Sequence, residues 1–265
     1  MRILVTNDDG VDAPGLHHLA RAMTRHGDVV VIAPDREFSG AGAAIGAIWD
    51  FEPEVVRCDI DGVPETWSVN GPPALCVMYA RLGAFGGDFD LVVSGINPGA
   101  NVGRSVYHSG TIGACLSGRN AGWSGVAVSQ AAVSWGVEGQ AWSEVVAQQK
   151  FHVAAEVASM FVGGLIEGLP ERLVVANLNV PNLELGDIKG WAVTEVGRLP
   201  PRAMSKATLV PDPSRPDHFG LDVAWGDPID LPAHTDGGTI EADQVSVSYI
   251  TRCLLYTSPS PRDHG

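Results

Sequence analysis

The chain has 265 residues, 45% of them hydrophobic and 18% charged, and 17 Lys and Arg against 31 Asp and Glu give it a formal net charge of −14. This excludes collagen-like and disordered chains and leaves enough apolar material for a sizeable core. The negative excess repels phosphate backbones and anionic lipid, so nucleic-acid polymers and membranes are not expected partners. A phosphorylated ligand on such a protein needs a local cation, and a divalent metal is the obvious one.

Ile3 to Val5 is a short apolar run that stops at Thr6-Asn7-Asp8-Asp9-Gly10. After Pro14 the apolar residues Leu16, Leu19, Ala20 and Met23 fall at helical spacing, with His26-Gly27 as the expected C-terminal cap. Asp28 to Pro34 is apolar nearly throughout, as a strand covered on both faces requires. Strand, helix and strand in about 30 residues define a βαβ unit.

The pattern repeats: a strand end at Trp67 to Asn70, a helix from Ala74 to Leu82, and a buried strand Asp90 to Ser94 broken at Gly95. A helix beginning near Ser109-Gly110-Thr111 leads to a strand at Gly125 to Ser129, a helical segment from Val137 to Ile166, and a strand over Arg172 to Leu178. Such alternation predicts a three-layer α/β/α, Rossmann-like, mostly parallel sheet. After Pro181 prolines punctuate short strands at Trp191 to Val196 and Val245 to Ile250, read as antiparallel extensions of one domain over residues 1–252. Residues 182–252 would carry oligomerisation elements, and Cys253 to Gly265 has no strand or helix period and reads as a non-native tail.

The four cysteines form no CxxC pair, which argues for reduced thiols rather than zinc or a disulfide framework. The opening decapeptide reads as a strand and its turn, not a leader. No uninterrupted apolar run approaches the roughly 18 residues of a membrane span, so a cytoplasmic protein is expected.

In an open α/β sheet, ligands bind at the carboxyl ends of the strands. The sharpest feature there is Asp8-Asp9. Adjacent carboxylates repel unless a cation lies between them, and oxygen donors suit Mg²⁺, Mn²⁺ or Ca²⁺ rather than zinc. Asn7, Ser39 and Asn97 stand at equivalent strand ends, so a metal site is favoured over simple helix capping by one Asp. Ser94 to Gly103 combines Asn97 and Asn101 with three glycines, and Ser109-Gly110-Thr111 opens a helix whose free N–H groups favour phosphate, although Ser109 also reads as an ordinary N-cap. The glycines after Ser39 do not form GxGxxG, and no GxxxxGK[ST] is present, so neither a dinucleotide nor a P-loop site is indicated. His108 and His234 have no role legible from sequence.

Asn7-Asp8-Asp9-Gly10, Pro34-Asp35-Arg36-Glu37 with Ser39-Gly40, Ser94-Gly95-Ile96-Asn97 with Gly99-Ala100-Asn101, and Ser109 to Ala114 occur in this order. From Met1 to Pro181 they resemble the SurE (survival protein E) family of metal-dependent acid phosphatases, also called 5′-nucleotidases. The resemblance implies hydrolysis of nucleoside 5′- and 3′-monophosphates, and of short polyphosphate in some members. It implies one divalent cation per subunit held by residues matching Asp8, Asp9, Ser39 and Asn97, with Asp8 and Asp9 catalytic. A phosphate segment would include Asn7, Gly40, Asn97, Asn101, Ser109, Gly110 and Thr111, and the assembly would be a homodimer or homotetramer. The chain departs from the family at Leu75, where an Asp is usual, and at Arg104-Ser105, where an acidic pair is common.

Two rival readings are weaker. A haloacid-dehalogenase-type phosphatase needs Asp-x-Asp after the first strand, and here the pair is adjacent. A non-catalytic metal- or nucleotide-binding α/β module, such as a receiver domain, needs an acceptor Asp where this chain has Ser94 and Asn97.

Overall fold

A computed structural model describes residues 1–46, 52–132, 142–168, 172–199, 201–202 and 204–251. The expected tail 253–265 and the first residues of the helical segment, 137–141, lie outside the described residues. In chain order the elements are β1 (Arg2–Thr6), α1 (Pro14–Met23), β2 (Asp28–Pro34), β3 (Val55–Cys58), β4 (Glu65–Val69), α2 (Pro73–Arg81) and β5 (Leu91–Pro98). They continue with α3 (Gly110–Ala121), β6 (Ser124–Gln130), α4 (Trp142–Ala147), α5 (Phe151–Glu167), β7 (Val175–Val180) and β8 (Trp191–Val193). Last come β9 (Met204–Pro211), β10 (Phe219–Trp225), α6 (Asp236–Glu241) and β11 (Val245–Tyr249).

Nine strands form one sheet in the order β3-β4-β2-β1-β5-β6-β7-β11-β8. The centre is parallel, while β3 on β4 and β11 on β7 run antiparallel at its flanks. The central strands are apolar on both faces because helices cover both. On one side Ile3, Val5, Val31, Val93 and Leu178 pack with Leu16, Leu19 and Met23 of α1 and Val157 and Val162 of α5. On the other Leu4, Ile32, Val92 and Ala127 pack with Cys76 and Val77 of α2 and Ile112 and Cys115 of α3. This is the three-layer sheet expected from the alternation of elements.

Differences in detail have local causes. α1 ends at Met23, with Thr24 as a right-handed cap, rather than at Gly27. Arg25 and His26 continue the chain as a turn because they are anchored to α5, at Glu156 Oε2 (2.7 Å) and Ser159 Oγ (2.8 Å). β5 does not stop at Gly95: a bulge between Ser94 and Asn97 absorbs the irregularity and pairing resumes with Asn97 opposite Ser129. The long helical segment is two helices, broken where Asn182 accepts from Lys150 N–H (3.0 Å) and donates to the Gln148 carbonyl (3.0 Å). β8 adds parallel to β11 rather than antiparallel, and the β9–β10 hairpin forms a separate two-stranded sheet. Neither that hairpin nor β3 is legible in the sequence, because their residues are largely exposed and lack the buried strand pattern.

Candidate metal and phosphate site

β1 lies between β2 and β5, with Thr6 opposite Ser94, so three loops reach the same edge of the sheet: Asn7 to Gly10, Asp35 to Gly42, and Asn97 to Gly103. The first two are joined directly. The Phe38 N–H donates to the Asp8 carbonyl (2.7 Å) and the Val11 N–H to the Pro34 carbonyl (2.8 Å). This places Ser39 one residue from a backbone contact with Asp8, on the exposed side.

Asp8 is 2% exposed. Its Oδ1 accepts a 2.6 Å hydrogen bond from Thr111 Oγ1, and the N–H groups of Gly110 and Thr111 also serve its carboxylate. The α3 N-terminus assigned to phosphate by sequence is therefore engaged by Asp8, the nearest anion to its dipole and unpaired amides. Ser109 is the N-cap, its Oγ accepting from the Ile112 N–H at 3.2 Å. Gly110 is needed for this approach, since a Cβ there would stand 2.7 Å from Asp8 Cβ. One turn on, a Cβ at Gly113 would overlap the Gly42 carbonyl oxygen, so α3 also supports the second loop.

Asp9 is different. Both of its carboxylate oxygens are buried and have no hydrogen-bond partner. Burial, then the Asp8 carboxylate and then Glu37, push its pKa up to about 8. The Asp8 carboxyl is also raised by burial, against the Thr111 hydroxyl and the α3 amides, which pull it down. An unsatisfied buried polar group costs about 1–3 kcal/mol, and more when charged. A divalent cation would remove that penalty at Asp9 and the repulsion with Asp8 together.

The donor set has to be mixed. Among the described residues no group of three or more His, Cys, Asp or Glu is placed to hold a metal. A metal at Asp8 and Asp9 would need neutral oxygens to complete its shell, and such a set would suit a hard divalent cation. Asn97 is half-buried at the end of β5, and its Nδ2 donates to the Gly99 carbonyl (2.7 Å), leaving Oδ1 as its acceptor end. Asn7 is fully buried; its Nδ2 donates to the Gly10 carbonyl (2.9 Å), and its Oδ1 has no partner. Gly40 is exposed, with open space where a side chain would stand. Asn101 lies on the same loop as Asn97, but its Nδ2 donates to Ser129 Oγ (2.9 Å), so its side chain faces the sheet. Glu37 as an electrostatic neighbour and Asn177 and Asn179 beneath the third loop were not foreseen from sequence, and Thr235-Asp236, a weaker echo of the family pattern, gave no sign of what it faces. Asn177 and Asn179 alternate on a buried strand, which is the one legible sign of them.

Fold and site together define a three-layer α/β protein with two adjacent buried acids and neutral oxygen donors on the loops at the carboxyl ends of its parallel strands. A model of the family described as survival protein SurE matches residues 3–202. The chain is 38% identical over 225 residues, 85% of its length and 79% of the relative's, to 5′-nucleotidase SurE of Acinetobacter baumannii. It is 34% identical over 258 residues, 95% and 92% of the two lengths, to 5′-nucleotidase SurE of Aeromonas hydrophila. The crystal structure of the SurE protein from Aquifex aeolicus superposes with a TM-score of 0.78 at 28% identity, covering 97% of this chain and 95% of that one. The chain belongs to the SurE family.

Proposed function

We propose that this protein is a divalent-metal-dependent phosphomonoesterase that hydrolyses nucleoside 5′-monophosphates to nucleoside and phosphate, with 3′-monophosphates and short polyphosphate as further substrates. The observation that carries the reading is the pair of unpartnered, buried carboxylate oxygens on Asp9 beside Asp8. Two relatives at 34% and 38% identity bear the name 5′-nucleotidase, which supports the substrate class.

Asp8, Asp9, Ser39 and Asn97 would hold one Mg²⁺ or Mn²⁺ per subunit. When bound, that ion supplies Lewis-acid polarisation of a phosphoryl oxygen and a more acidic bound water. The protein's own work is positional. Thr111 and the first amides of α3 fix the Asp8 carboxylate, and Asp8 or Asp9 orients the attacking water. Asn7, Asn97 and the open backbone at Gly40 would line the phosphate side of the pocket, while Gly110 and Thr111 at the head of α3, capped by Ser109, act on it through the Asp8 carboxylate they hold, and Asn101, whose amide faces Ser129, through the loop it anchors.

Residues 1–252 form one domain in this reading, and residues 182–252 support a homodimer or homotetramer. The β9–β10 hairpin exposes Leu209, Phe219, Leu221 and Trp225, which suits such an assembly. No helix among the described residues is long and apolar enough to cross a membrane. A cytoplasmic location is proposed. The decisive assay is phosphate release from AMP with Mn²⁺ or Mg²⁺ against EDTA. Metal-dependent release is expected, and no release from any nucleoside monophosphate with either ion overturns the proposal.

A further inference from the structure

The third loop of the pocket carries Asn97 at one end and leads into the turn before Ser109, yet most of the bonds that fix it come from residues outside it. Asn179 binds the backbone of Asn101 twice: its Oδ1 accepts from the Asn101 N–H (2.8 Å) and its Nδ2 donates to the Asn101 carbonyl (3.2 Å). A side-chain amide here takes the place of a neighbouring strand, satisfying both polar groups of one peptide residue. Asn177, two residues earlier on the same face of β7, donates from Nδ2 to the same carbonyl at 2.9 Å. Two residues after Asn101, the Gly103 N–H donates to Oδ2 of Asp236 (3.0 Å), whose Oδ1 also accepts from Gly197 (2.9 Å) and Gly237 (2.9 Å). Asn177 and Asn179 are fully buried and Asp236 is 1% exposed.

A loop without regular structure gains a defined position only when its backbone groups are tied down. Here the ties meet at Asn101 to Gly103, four residues beyond Asn97 and six before Ser109. We infer that Asn179 is a positioning residue of the pocket, which, with Asn177 and Asp236 in support, fixes the Asn101 backbone and thereby the place of Asn97 relative to Asp8 and Asp9. The inference rests on the metal-site reading above. It assigns a task to β7, whose asparagines bond the Asn101 backbone. Groups bonded directly to a metal ligand typically change its affinity or the activity by about 10-fold to 100-fold when deleted, and Asn179, which acts through the Asn101 backbone four residues from Asn97, is expected at the low end.

The test uses the full-length protein and three readouts: Mn²⁺ affinity of the metal-free form by isothermal titration calorimetry, the melting midpoint, and kcat and KM for p-nitrophenyl phosphate with Mn²⁺ present. Asn179→Ala is expected to weaken Mn²⁺ binding by about 10-fold and to lower kcat more than it raises KM, in protein that melts cooperatively. Wild-type Mn²⁺ affinity and kcat in folded Asn179→Ala, whatever its melting midpoint, overturn the inference. If that variant does not fold, Asn177→Ala, which deletes one of the three bonds, is judged by the same criteria with a smaller expected loss. A parent protein that binds Mn²⁺ but releases no phosphate refutes the phosphatase reading and leaves the affinity comparison decisive for Asn179. A parent that binds no Mn²⁺ overturns both.

Discussion

Thr111 and Asp8, 103 residues apart in sequence, are joined by a 2.6 Å hydrogen bond from Oγ1 to Oδ1 at the carboxyl edge of the sheet. Both side chains are buried, and the bond links the loop after β1 to the first turn of α3. Its consequence is a division of labour between adjacent acids. Asp8 has protein donors, so its carboxylate is held in one orientation. Asp9 has none, so its oxygens stay available to a cation.

Replacing Thr111 with Val keeps the shape and removes the donor. The variant is expected to lose about 1–3 kcal/mol of stability, since a buried carboxylate oxygen loses its partner. It should also bind Mn²⁺ more weakly. Thr111→Ser retains the hydroxyl and should recover most of both losses. Chemical denaturation and calorimetric Mn²⁺ titration of the two variants check this, and equal defects in Ser and Val would show that the hydroxyl is not what matters.

Asp9→Asn separates stability from metal binding. The Asp9 carboxyl is raised from an ordinary 3.8 to about 8 by burial and by Asp8 and Glu37. Between those values the unfolded chain has released a proton that the metal-free native state keeps. The native state thus binds more protons, and this group lowers stability as pH rises through the window, levelling off above about 8. Asn carries no such penalty. Without metal, the variant should therefore melt higher than the parent, with the gap widening from pH 5 to pH 8. Added Mn²⁺ should raise the parent's midpoint and leave the variant's unchanged. Melting scans over that range with and without Mn²⁺ decide it, and a gap that narrows with pH contradicts the argument.

The same proton must leave before Asp9 can ligate a metal. Mn²⁺ affinity is expected to rise with pH up to about 8 and then flatten, by roughly tenfold per pH unit for each proton displaced. Titrations in buffers of different ionisation enthalpy would count the protons released. Affinity independent of pH between 6 and 8 would mean that Asp9 is already ionised in the metal-free protein.

What could be read in advance follows from where chemistry is local. Asp28 to Pro34 was legible to the residue because a strand buried on both faces is written as consecutive apolar side chains. Asp8-Asp9 stood out because two neighbouring acids at a strand end have no cheap structural explanation. Asn101 could not be resolved that way. Its loop looked like a ligand loop, yet its amide faces Ser129 on β6, and its backbone is held by Asn177 and Asn179 from β7, 76 and 78 residues on. The β9–β10 hairpin was equally hidden, because strands exposed throughout have no buried face to set an alternating pattern.

Two helical glycines predict opposite outcomes for the same change. A Cβ at Gly113 would overlap the Gly42 carbonyl oxygen, so Gly113→Ala must push the second loop away from α3 or shift the helix, at about 1–3 kcal/mol. The displaced loop carries Ser39, so metal affinity should fall as well. Gly164 in α5 meets nothing within 4 Å, and there Ala reduces the entropy lost on folding, for a gain of about 0.4–1 kcal/mol. Unfolding curves of both variants, with Mn²⁺ titration of the first, test whether contact with the loop rather than helix propensity governs position 113.

The hairpin provides a prediction that leaves the pocket untouched. Leu209 and Leu221 lie opposite one another on β9 and β10 and are 64% and 69% exposed, so neither adds to the protomer's core. If this ribbon is buried between subunits, as proposed, a pair of acids there places like charges in a desolvated contact of a protein already at −14. Leu209→Glu with Leu221→Glu should shift the sedimentation coefficient to that of a smaller species while leaving the melting cooperative and Mn²⁺ affinity within about twofold of the parent. An unchanged sedimentation profile would mean that the hairpin is not the contact, and the exposed leucines would then belong to some other surface.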